Sequence, residues 1–454
     1  MSETGIFTGF GVGSGDNDSI EIELATNDSS QIQWIASGRE LVVGTSGSEV
    51  TIGTGGVAGA ITGSNIQARP RTYHGSKAQQ PITIRNEIVF SDRSARNLLS
   101  FLYDFESDGF RGEELTFLAE HITVGGIVEA VYVQEPDSQI YAVLAGGEMI
   151  VGTYDRKQKV IGWTKYTDAT GSYEHVATIS DGGSDQVWVV VNRTINGGTK
   201  RYIEVFDNGD GTDSIHGYAD SFLTLSTPAT ISGATAANPV VITATSHPFS
   251  DSDTIKIKDV VGMTELNGRT FTVANSTSNT FELSGVDGTS YTAYSSGGEA
   301  FEMVSTLSGL DHLEGETVSV KVDNAAHPDK TVSSGAITLD HSTAEAVVGL
   351  SYTSTITTLD KEYNIGMGTM QGQRTRYVRP ILRVYKSALP TFAGNSLPIR
   401  LPADQMDNAP ALYSGDAEYG PTSWTATGRL TMTFSDPFPV VILGIFGAID
   451  GGVK

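Results

Sequence analysis

Residues 127–166 have the sequence IVEAVYVQEPDSQIYAVLAGGEMIVGTYDRKQKVIGWTKY. Four runs with alternating apolar residues are separated by EPDS, AGG and DRKQK, whose residue types favour tight turns. Apolar residues at every second position over about five to eight residues are typical of a half-buried strand. Four strands joined by tight turns predict one antiparallel meander the size of a propeller blade, with Trp163 in its core.

Three similar units precede or follow this stretch. Residues 32–52, 81–105 and 173–207 alternate in the same way around breaks such as SGRE, SGSE and NGG. The units begin roughly every 45–50 residues, which is the spacing of propeller blades. We expect residues 112–122, GEELTFLAEHI, to form a helix or an irregular connection. The pattern predicts an all-β fold with a partial β-propeller of about four blade-like meanders. A twisted sandwich is the alternative, because meanders alone do not show ring closure.

The rest of the chain predicts small β-barrel or sandwich modules. From Ser226 the composition becomes rich in Thr, Ser and Val, with recurring turn residues. We assign propeller-like platform blades to residues 1–218, a small β module to 226–300, a small β-barrel-like domain to 301–356 and a C-terminal β region to 357–454. The apolar run VVILGIFGAI, residues 440–449, is too short to span a bilayer and is expected to be a buried strand.

The chain is strongly acidic. It has 29 Lys and Arg against 53 Asp and Glu, which gives a formal charge of −24. Because duplex binding depends largely on cations that displace phosphate counterions, we expect DNA to slide past this protein without specific binding. The sequence also predicts no membrane insertion. The chain contains no cysteine, which excludes disulfides and cysteine nucleophiles, and its N-terminus lacks the features of a secretory signal.

No motif predicts a catalytic, cofactor-binding or metal-binding residue. The sequence contains no HExxH, no GxxxxGK[ST] and no strand-to-helix GxGxxG. Residues 206–213, FDNGDGTD, fail the EF-hand pattern because its first position would be Phe206. Residues 11–18, GVGSGDND, do not recur, so we interpret both stretches as solvated turns. Glu120 and His121 are adjacent, and adjacent side chains do not converge on one metal ion.

The notable basic cluster consists of Arg374, Arg376, Arg379 and Arg383. Arg374 and Arg376 are expected on one face of a strand, with Pro380 limiting the pairing beyond it. One interpretation is subunit docking against an acidic neighbour, such as another copy of this −24 chain. The other is a solvated face balanced by acidic residues of the same chain. Nucleic-acid binding is a weaker third choice, because two tyrosines alone accompany the arginines.

Many stretches of the sequence, taken in order, resemble the tail nozzle proteins of short-tailed bacteriophages, also called tail tubular or stabilisation proteins. In the first half they are IQWIASGRELVVGTSGSEVTI, NIQARPRTYHGS, LLSFLYDFESDGF, LTFLAEHI, YVQEPDSQIYAV, TYDRKQKVIGWTKY and VVNRTINGGTKRYIEVF. Further on they are SGLDHLEGETVSV, VVGLSYTSTITTL, ALYSGDAEYG and DPFPVVILGI. The resemblance is collinear over nearly the whole chain, which makes it more specific than any single motif.

This resemblance implies a structural virion protein in the phage tail. It implies a β-propeller platform assembled as a homo-oligomeric ring, a hexamer in the family, at the distal end of the tail. Genomic DNA would pass transiently through the lumen during ejection, and other tail proteins such as the adaptor and the fibres would be its neighbours. We therefore expect a protein that is not an enzyme and needs no cofactor. The Gly-rich residues 53–64 are candidates for a closed gate.

Residues 226–300 look like a separate unit that recurs in phage tail proteins and resembles the first-catalytic-cysteine half-domain, or FCCH domain, of ubiquitin-activating enzymes. The chain has no cysteine, so no activity follows from this resemblance. DSFLTL before the unit and TLSGLDHLEGETV after it look like adjacent parts of one family segment. This predicts an insertion on an exposed loop, where added chain is tolerated.

Family chains usually carry a long additional N-terminal region that includes the first propeller blades, and this sequence starts beyond it. Three expectations follow: another chain completes the ring, this protein closes a smaller ring, or the sequence is truncated.

Two other classes of function stand as alternatives. A receptor-binding or fibre-attachment tail protein would bind host cells directly. A glycan depolymerase, which is less favoured, would need paired carboxylates in a cleft with exposed aromatic residues.

Overall fold

The computed structural model describes residues 5–451 except 12, 14, 16–17, 25–29, 56–59, 107, 169, 208–215, 227, 363–371, 399 and 401–408. In this part of the chain, regular structure consists of β-strands and three short 3-10 turns, which confirms the predicted all-β fold. The chain forms two compact units, residues 1–194 with 198–206 and residues 195–197 with 207–454. Among the described residues, no helix has the length and apolar character needed to cross a membrane.

The first unit contains four antiparallel sheets that follow one another along the chain, each a meander in which consecutive strands are neighbours. Sheet 1 comprises β1 (Ile32–Ser37), β2 (Leu41–Thr45), β3 (Glu49–Gly53) and β4 (Gln67–Thr72). Sheet 2 comprises β5 (Ile82–Ile84), β6 (Glu87–Ser91), β7 (Leu98–Asp104) and β8 (Gly109–Glu114). Sheet 3 comprises β9 (Ile127–Val133), β10 (Gln139–Leu144), β11 (Met149–Asp155) and β12 (Val160–Tyr166). Sheet 4 comprises β13 (Gly171–Asp181), β14 (Ser184–Ile195) and β15 (Gly198–Val205).

Sheets 1 and 2 each have one strand more than their repeat pattern predicts. Residues 67–72 form β4, and residues 109–114 form β8, followed by a 3-10 turn at Phe117–Ala119. The expectation of a helix or an irregular connection at 112–122 is therefore wrong over its first residues. The sequence of β8, GFRGEE, has no apolar alternation that could reveal a strand, and none of its residues is buried.

Each sheet shares a hydrophobic cluster with the next sheet along the chain. Trp34 of sheet 1 belongs to a cluster with Phe101 of sheet 2. Leu98 of sheet 2 belongs to a second cluster with Ile140 of sheet 3, and a third cluster joins sheet 3 to sheet 4. A propeller arc requires such stacking, but other layered β folds share it, so the partial propeller stays a prediction.

Sheet 3 is buried on both faces at its central strands. Along β10, Ile140 and Ala142 face the cluster shared with sheet 2, whereas Tyr141 and Val143 face the cluster shared with sheet 4. The sequence predicts half-buried strands, but a neighbouring sheet covers each face. Trp163 lies on the edge strand β12, where it is half-buried and its indole N–H donates a 2.8 Å hydrogen bond to the Leu115 carbonyl.

The second unit begins its regular structure with a small domain that a seven-stranded module interrupts. The module's strands are β17 (Ala229–Thr230), β18 (Gly233–Ala234), β19 (Val241–Thr243), β20 (Thr254–Val261), β21 (Thr270–Ala274), β22 (Thr280–Leu283) and β23 (Ser296–Glu302). They are arranged in the order β17-β23-β20-β21-β22-β19-β18 around their own buried core. The first strand pairs with the last, Ala229 opposite Ala300, so the two ends of the module lie side by side.

The strands on either side of the module belong to the interrupted domain. Before it, β16 (Asp220–Leu225) pairs with β28 (Ala346–Leu350), and the sheet continues through β25 (Thr317–Val322) to β26 (Ala325–Thr331). After it, β24 (Val304–Ser308) pairs with β27 (Ala336–Thr343), which contacts β26. The module thus follows β16 and precedes β24. Two lysines of β20 reach this domain: Lys256 pairs with Asp323 at 3.3 Å, and Lys258 pairs with Glu345.

The C-terminal region contains two three-stranded sheets around one core. One has the order β29 (Ser354–Thr357), β33 (Thr431–Phe434), β31 (Thr391–Phe392). The other has the order β32 (Tyr413–Glu418), β30 (Thr375–Ser387), β34 (Ile442–Gly451). Leu382 of β30, Phe392 of β31 and Met432 of β33 meet in the shared hydrophobic cluster.

Two sequence expectations for this region are wrong. The run expected to be a buried strand forms β34, an edge strand in which Leu443 is 62% exposed and Phe446 is 46% exposed. Its apolar composition does not reveal that, within the described residues, β34 has a strand on one side only. Pro380 does not limit pairing either, because it lies inside the central strand β30, which pairs with β34 and, beyond Pro380, with β32.

Candidate functional site

The predicted basic cluster lies on the outward face of the sheet β32-β30-β34. Arg376, Arg379 and Arg383 belong to β30, whereas Arg374 precedes the strand. Strand alternation, shifted by an irregularity between Tyr377 and Arg379, separates these arginines from the inward-facing residues of β30 that pack in the core. The core therefore fixes the direction in which the three guanidinium groups project.

Three of the four arginines pair with carboxylates on neighbouring strands. Arg383 stands opposite Asp416 of β32 and donates two hydrogen bonds, 2.6 Å from Nε to Oδ1 and 2.8 Å from Nη2 to Oδ2. Arg379 donates two hydrogen bonds to Glu418, with Nε 2.6 Å from Oε1. Arg376 stands opposite Asp450 of β34, with Nη2 3.1 Å from Oδ2.

These pairs change the proton affinities of their members. Hydrogen bonds from Arg383 lower the pKa of Asp416, and hydrogen bonds from Arg379 lower the pKa of Glu418. The same bonds raise the pKa of each arginine. All four groups are therefore charged at neutral pH. Because the side chains are exposed, water screens the pairs, and each contributes little to stability.

Aromatic rings cover two of the guanidinium groups. The Arg383 guanidinium carbon lies 4.8 Å from the centre of the Phe446 ring, and that of Arg376 lies 4.9 Å from the Trp424 ring. Contacts of this geometry are cation–π interactions. They restrict the arginines further, because each is held by a carboxylate and by a ring.

Acidic residues of the same chain balance the charges of Arg376, Arg379 and Arg383, as the second interpretation of the cluster predicts. Arg374 is exposed, and no ion pair joins it to another described residue. Sequence reasoning could not identify the acidic partners, because Asp416 lies 33 residues from Arg383 and Asp450 lies 74 residues from Arg376. Subunit docking through these arginines stays a prediction.

A second candidate site is a partly open cavity of about 230 Å³ in the second unit. Four aromatic residues contribute to its lining, namely Tyr218, Tyr352, Phe434 and Phe438, and Asp436 lies among them. The cavity is smaller than the pockets of about 300–1,000 Å³ that enclose drug-sized ligands. Its size suits one sugar ring or one large side chain. Sequence reasoning missed it, because its lining comes from separated segments.

A buried lysine lies beside two of these rings. The Lys321 ammonium donates a 2.7 Å hydrogen bond to the His216 carbonyl, and it lies 5.8 Å from the Tyr218 ring centre and 6.0 Å from that of Phe438. Burial lowers the pKa of Lys321. The contacts hold Tyr218 and Phe438 in place, so we interpret Lys321 as a structural support of the cavity wall.

Two buried glutamates also escaped sequence reasoning, since carboxylates are numerous in this chain. Glu49 accepts hydrogen bonds from the hydroxyls of Thr72, at 2.6 Å, and Ser76, at 3.0 Å, and burial raises its pKa. Glu87 accepts a 2.6 Å hydrogen bond from Tyr154, whose pKa burial raises to about 12. Glu49 links sheet 1 to the chain that follows it, and Glu87 links sheet 2 to sheet 3.

The remaining sequence candidates do not form a site in the described residues. No group of three or more His, Asp or Glu residues is placed there to hold a metal ion. Most of the loop at 206–213 lies outside the described residues, as do 56–59 of the candidate gate and several residues of 11–18. Glu120 and His121 are exposed beyond the 3-10 turn.

Comparison with known protein families gives a match in the inserted module. Residues 237–304 match the family model of the ubiquitin-activating enzyme E1 FCCH domain. This is a non-catalytic domain of those enzymes, and the range falls largely within the module expected at 226–300. The match covers a small part of the chain and does not define the family of the whole protein. No curated protein matches the sequence.

Proposed function

We propose that this chain is a structural virion protein of a phage tail nozzle. It forms a homo-oligomeric ring at the end of the tail, beside adaptor and fibre proteins, and carries out no chemistry of its own. The observation that supports this most is the order of the architecture. Four stacked meanders precede a small β domain with an inserted module and then a two-sheet region, in agreement with the collinear resemblance to nozzle proteins.

The charge of the chain suits passage of DNA. Each subunit carries a formal charge of −24, so a ring of subunits carries a large net negative charge. Duplex DNA carries one charge per about 1.7 Å of its axis, and cationic walls would hold it through counterion release. The arginines that could provide such a wall in β30 are largely paired with carboxylates. In the proposed nozzle, DNA therefore slides without being retained.

Two measurements on the purified chain test the proposal. Light scattering with particle images is expected to show closed rings. Retention of duplex DNA on the immobilised protein is expected to be negligible at about 50 mM salt, where phosphate contacts are strong. A chain that stays monomeric and never joins tail components would contradict the nozzle, and tight, salt-sensitive DNA retention would contradict the sliding mechanism.

The aromatic-lined cavity favours one alternative, a receptor-binding tail protein. Aromatic rings with a neighbouring carboxylate suit a sugar ring, whose apolar face stacks and whose hydroxyls donate hydrogen bonds. This function predicts saturable binding of the isolated chain to host cells, and weaker binding by the Tyr352→Ala variant. Unchanged binding by that variant would show that the cavity does not bind the host receptor. Tyr385→Ala, which changes an exposed tyrosine outside the cavity, is the control.

A further inference from the structure

The edge strand β34 has an unusual combination of length and composition. It contains ten residues, and from Ile442 to Ile449 it has no charged residue and no proline. Proteins usually protect such edges with charges, prolines or bulges, because free backbone N–H and C=O groups recruit other strands. Within the described residues, β34 pairs with β30 alone, so its other edge has no strand partner.

The opposite edge of the same sheet is protected. Strand β32 carries Asp416 and Glu418, both paired with arginines of β30. The Tyr413 hydroxyl donates a 2.9 Å hydrogen bond to the Asp416 backbone carbonyl, which occupies an acceptor of that strand. The two edges therefore differ in their side chains: β34 has no charged residue from Ile442 to Ile449, although an irregularity in its pairing with β30 places a bulge at Leu443.

The second sheet of the C-terminal region has an open edge as well. All four residues of β29, Ser354–Thr357, are exposed, and none is charged or a proline. In the described part of the chain β29 pairs with β33 alone, and Ile356 is 50% exposed. Strand β31, at the other end of that sheet, has only two residues and offers little backbone. In its described part, the C-terminal region therefore presents one long and one short edge that are nearly free of charged side chains.

We propose that β34 of one copy of this chain adds to the sheet edge formed by β29 of a second copy. The two edges are different surfaces, so the contact is heterologous, and repetition of a heterologous contact closes a ring when its rotation permits. Both halves of the interface lie in one chain, which is why the partner is a second copy rather than another protein. Strand addition pairs the free backbone groups and buries Leu443 and Ile356.

Apolar pairing also suits the charge of the chain. Two copies with a formal charge of −24 repel each other, so a contact between them needs surfaces that add no further repulsion, such as surfaces without unpaired acidic side chains. The edges of β34 and β29 meet this requirement, since Asp450 lies near the far end of β34 and is paired with Arg376. This inference rests on the proposed nozzle, for which it supplies the contact between subunits.

Charged side chains placed on each edge test the proposal. Leu443→Lys alters β34, Thr355→Lys alters β29, and Val261→Lys is a control at an exposed residue of the inserted module. Light scattering is expected to show that the native chain and the control form the same oligomer. Each edge variant alone is expected to be monomeric. An equimolar mixture of the two edge variants is expected to form dimers only, because one intact β34 and one intact β29 remain.

Hydrogen exchange gives a second measurement that does not depend on changing β34. Backbone amides of residues 442–451 are expected to exchange more slowly in the native oligomer than in Thr355→Lys, in which β34 is unaltered. Equal exchange in both would overturn the proposal. So would an oligomer that survives Leu443→Lys, a β29 variant that assembles normally, or a mixture that stays monomeric. An oligomer that survives both variants contradicts this contact alone, whereas a native chain that is always monomeric contradicts the nozzle itself.

Discussion

The side chain of Arg383 in β30 is held in place by residues of both neighbouring strands. Asp416 accepts two of its hydrogen bonds, and the Phe446 ring lies 4.8 Å from its guanidinium carbon. A guanidinium bound by two partners loses side-chain freedom, and exposed pairs of this kind contribute little to stability because water screens them. The pair is therefore better detected through the proton affinity of Asp416 than through the free energy of unfolding.

Replacing Arg383 by Gln is expected to raise the pKa of Asp416 toward its ordinary value. The native pKa is lowered mainly by hydrogen bonds from Arg383, so the pair favours folding above the unfolded pKa and loses this effect as pH falls through the folded pKa. Carboxyl titration by NMR with labelled aspartate measures the change. Arg374→Gln, which alters an arginine outside this pair, is expected to leave Asp416 unchanged. An Asp416 titration that is the same in Arg383→Gln would show that the pair does not form.

At this scale the sequence could locate the arginines but not their partners. Four arginines within ten residues are visible in any reading of the chain. The carboxylates that meet them come from strands that fold beside β30, and strand register is set by turns and core packing over long separations. The cavity escaped prediction for the same reason.

At the scale of elements, sheets 1 and 3 have the same packing feature. Each contains a tryptophan whose ring lies over a glycine on the neighbouring strand. Trp34 of β1 is paired with Gly44 of β2, and Trp163 of β12 is paired with Gly152 of β11. A Cβ atom on Gly152 would lie 2.6 Å from atoms of the Trp163 ring. An aromatic ring thus covers a glycine that would otherwise weaken its strand.

Gly152→Ala is expected to destabilise the first unit by about 1–3 kcal/mol, because the added methyl group displaces the Trp163 ring. The hydrogen bond from that ring to the Leu115 carbonyl would then be strained or lost. Urea unfolding followed by tryptophan fluorescence measures the change. Gly162→Ala is the matched control, since a Cβ atom there meets no atom within 4 Å. Equal stability of the two variants would contradict the close packing of Trp163 on β11.

The strands of sheet 3 could be predicted almost completely. EPDS, AGG and DRKQK separate β9, β10, β11 and β12, because turn residues interrupt the alternation of apolar side chains at each break. β8 and β34 could not be predicted in the same way. GFRGEE contains too few apolar residues to show a period, and the apolar run of β34 has the composition of a buried strand although it forms an edge.

At the scale of the whole molecule, the inserted module is joined to its domain in a way that makes it separable. Its first and last strands pair, so the chain enters and leaves the module at neighbouring positions. Its core consists of its own residues, such as Ile257 and Phe281. Two lysines supply ion pairs to the interrupted domain, and partly exposed pairs contribute little to stability.

Replacing residues 228–302 by a short Gly-Ser linker is expected to leave the rest of the chain folded and able to assemble. β16 and β24 keep their partners β28 and β27, which lie outside the deletion. The isolated module, residues 228–303, is expected to fold alone with a cooperative thermal transition. Circular dichroism and light scattering measure both outcomes. Aggregation of the shortened chain, with the isolated module unfolded, would show that the two depend on each other.

The position of sheet 3 between two other sheets has a consequence for the history of the chain. Most residues of β10 and β11 are buried, so few substitutions in these strands would leave a neighbouring sheet undisturbed. As a lineage diverges, substitutions should therefore be tolerated more readily at exposed turn positions such as Lys157 and Lys159 than in the strands. Sequence differences between relatives would therefore be concentrated at exposed turn positions of this sheet, whereas its strands would change little.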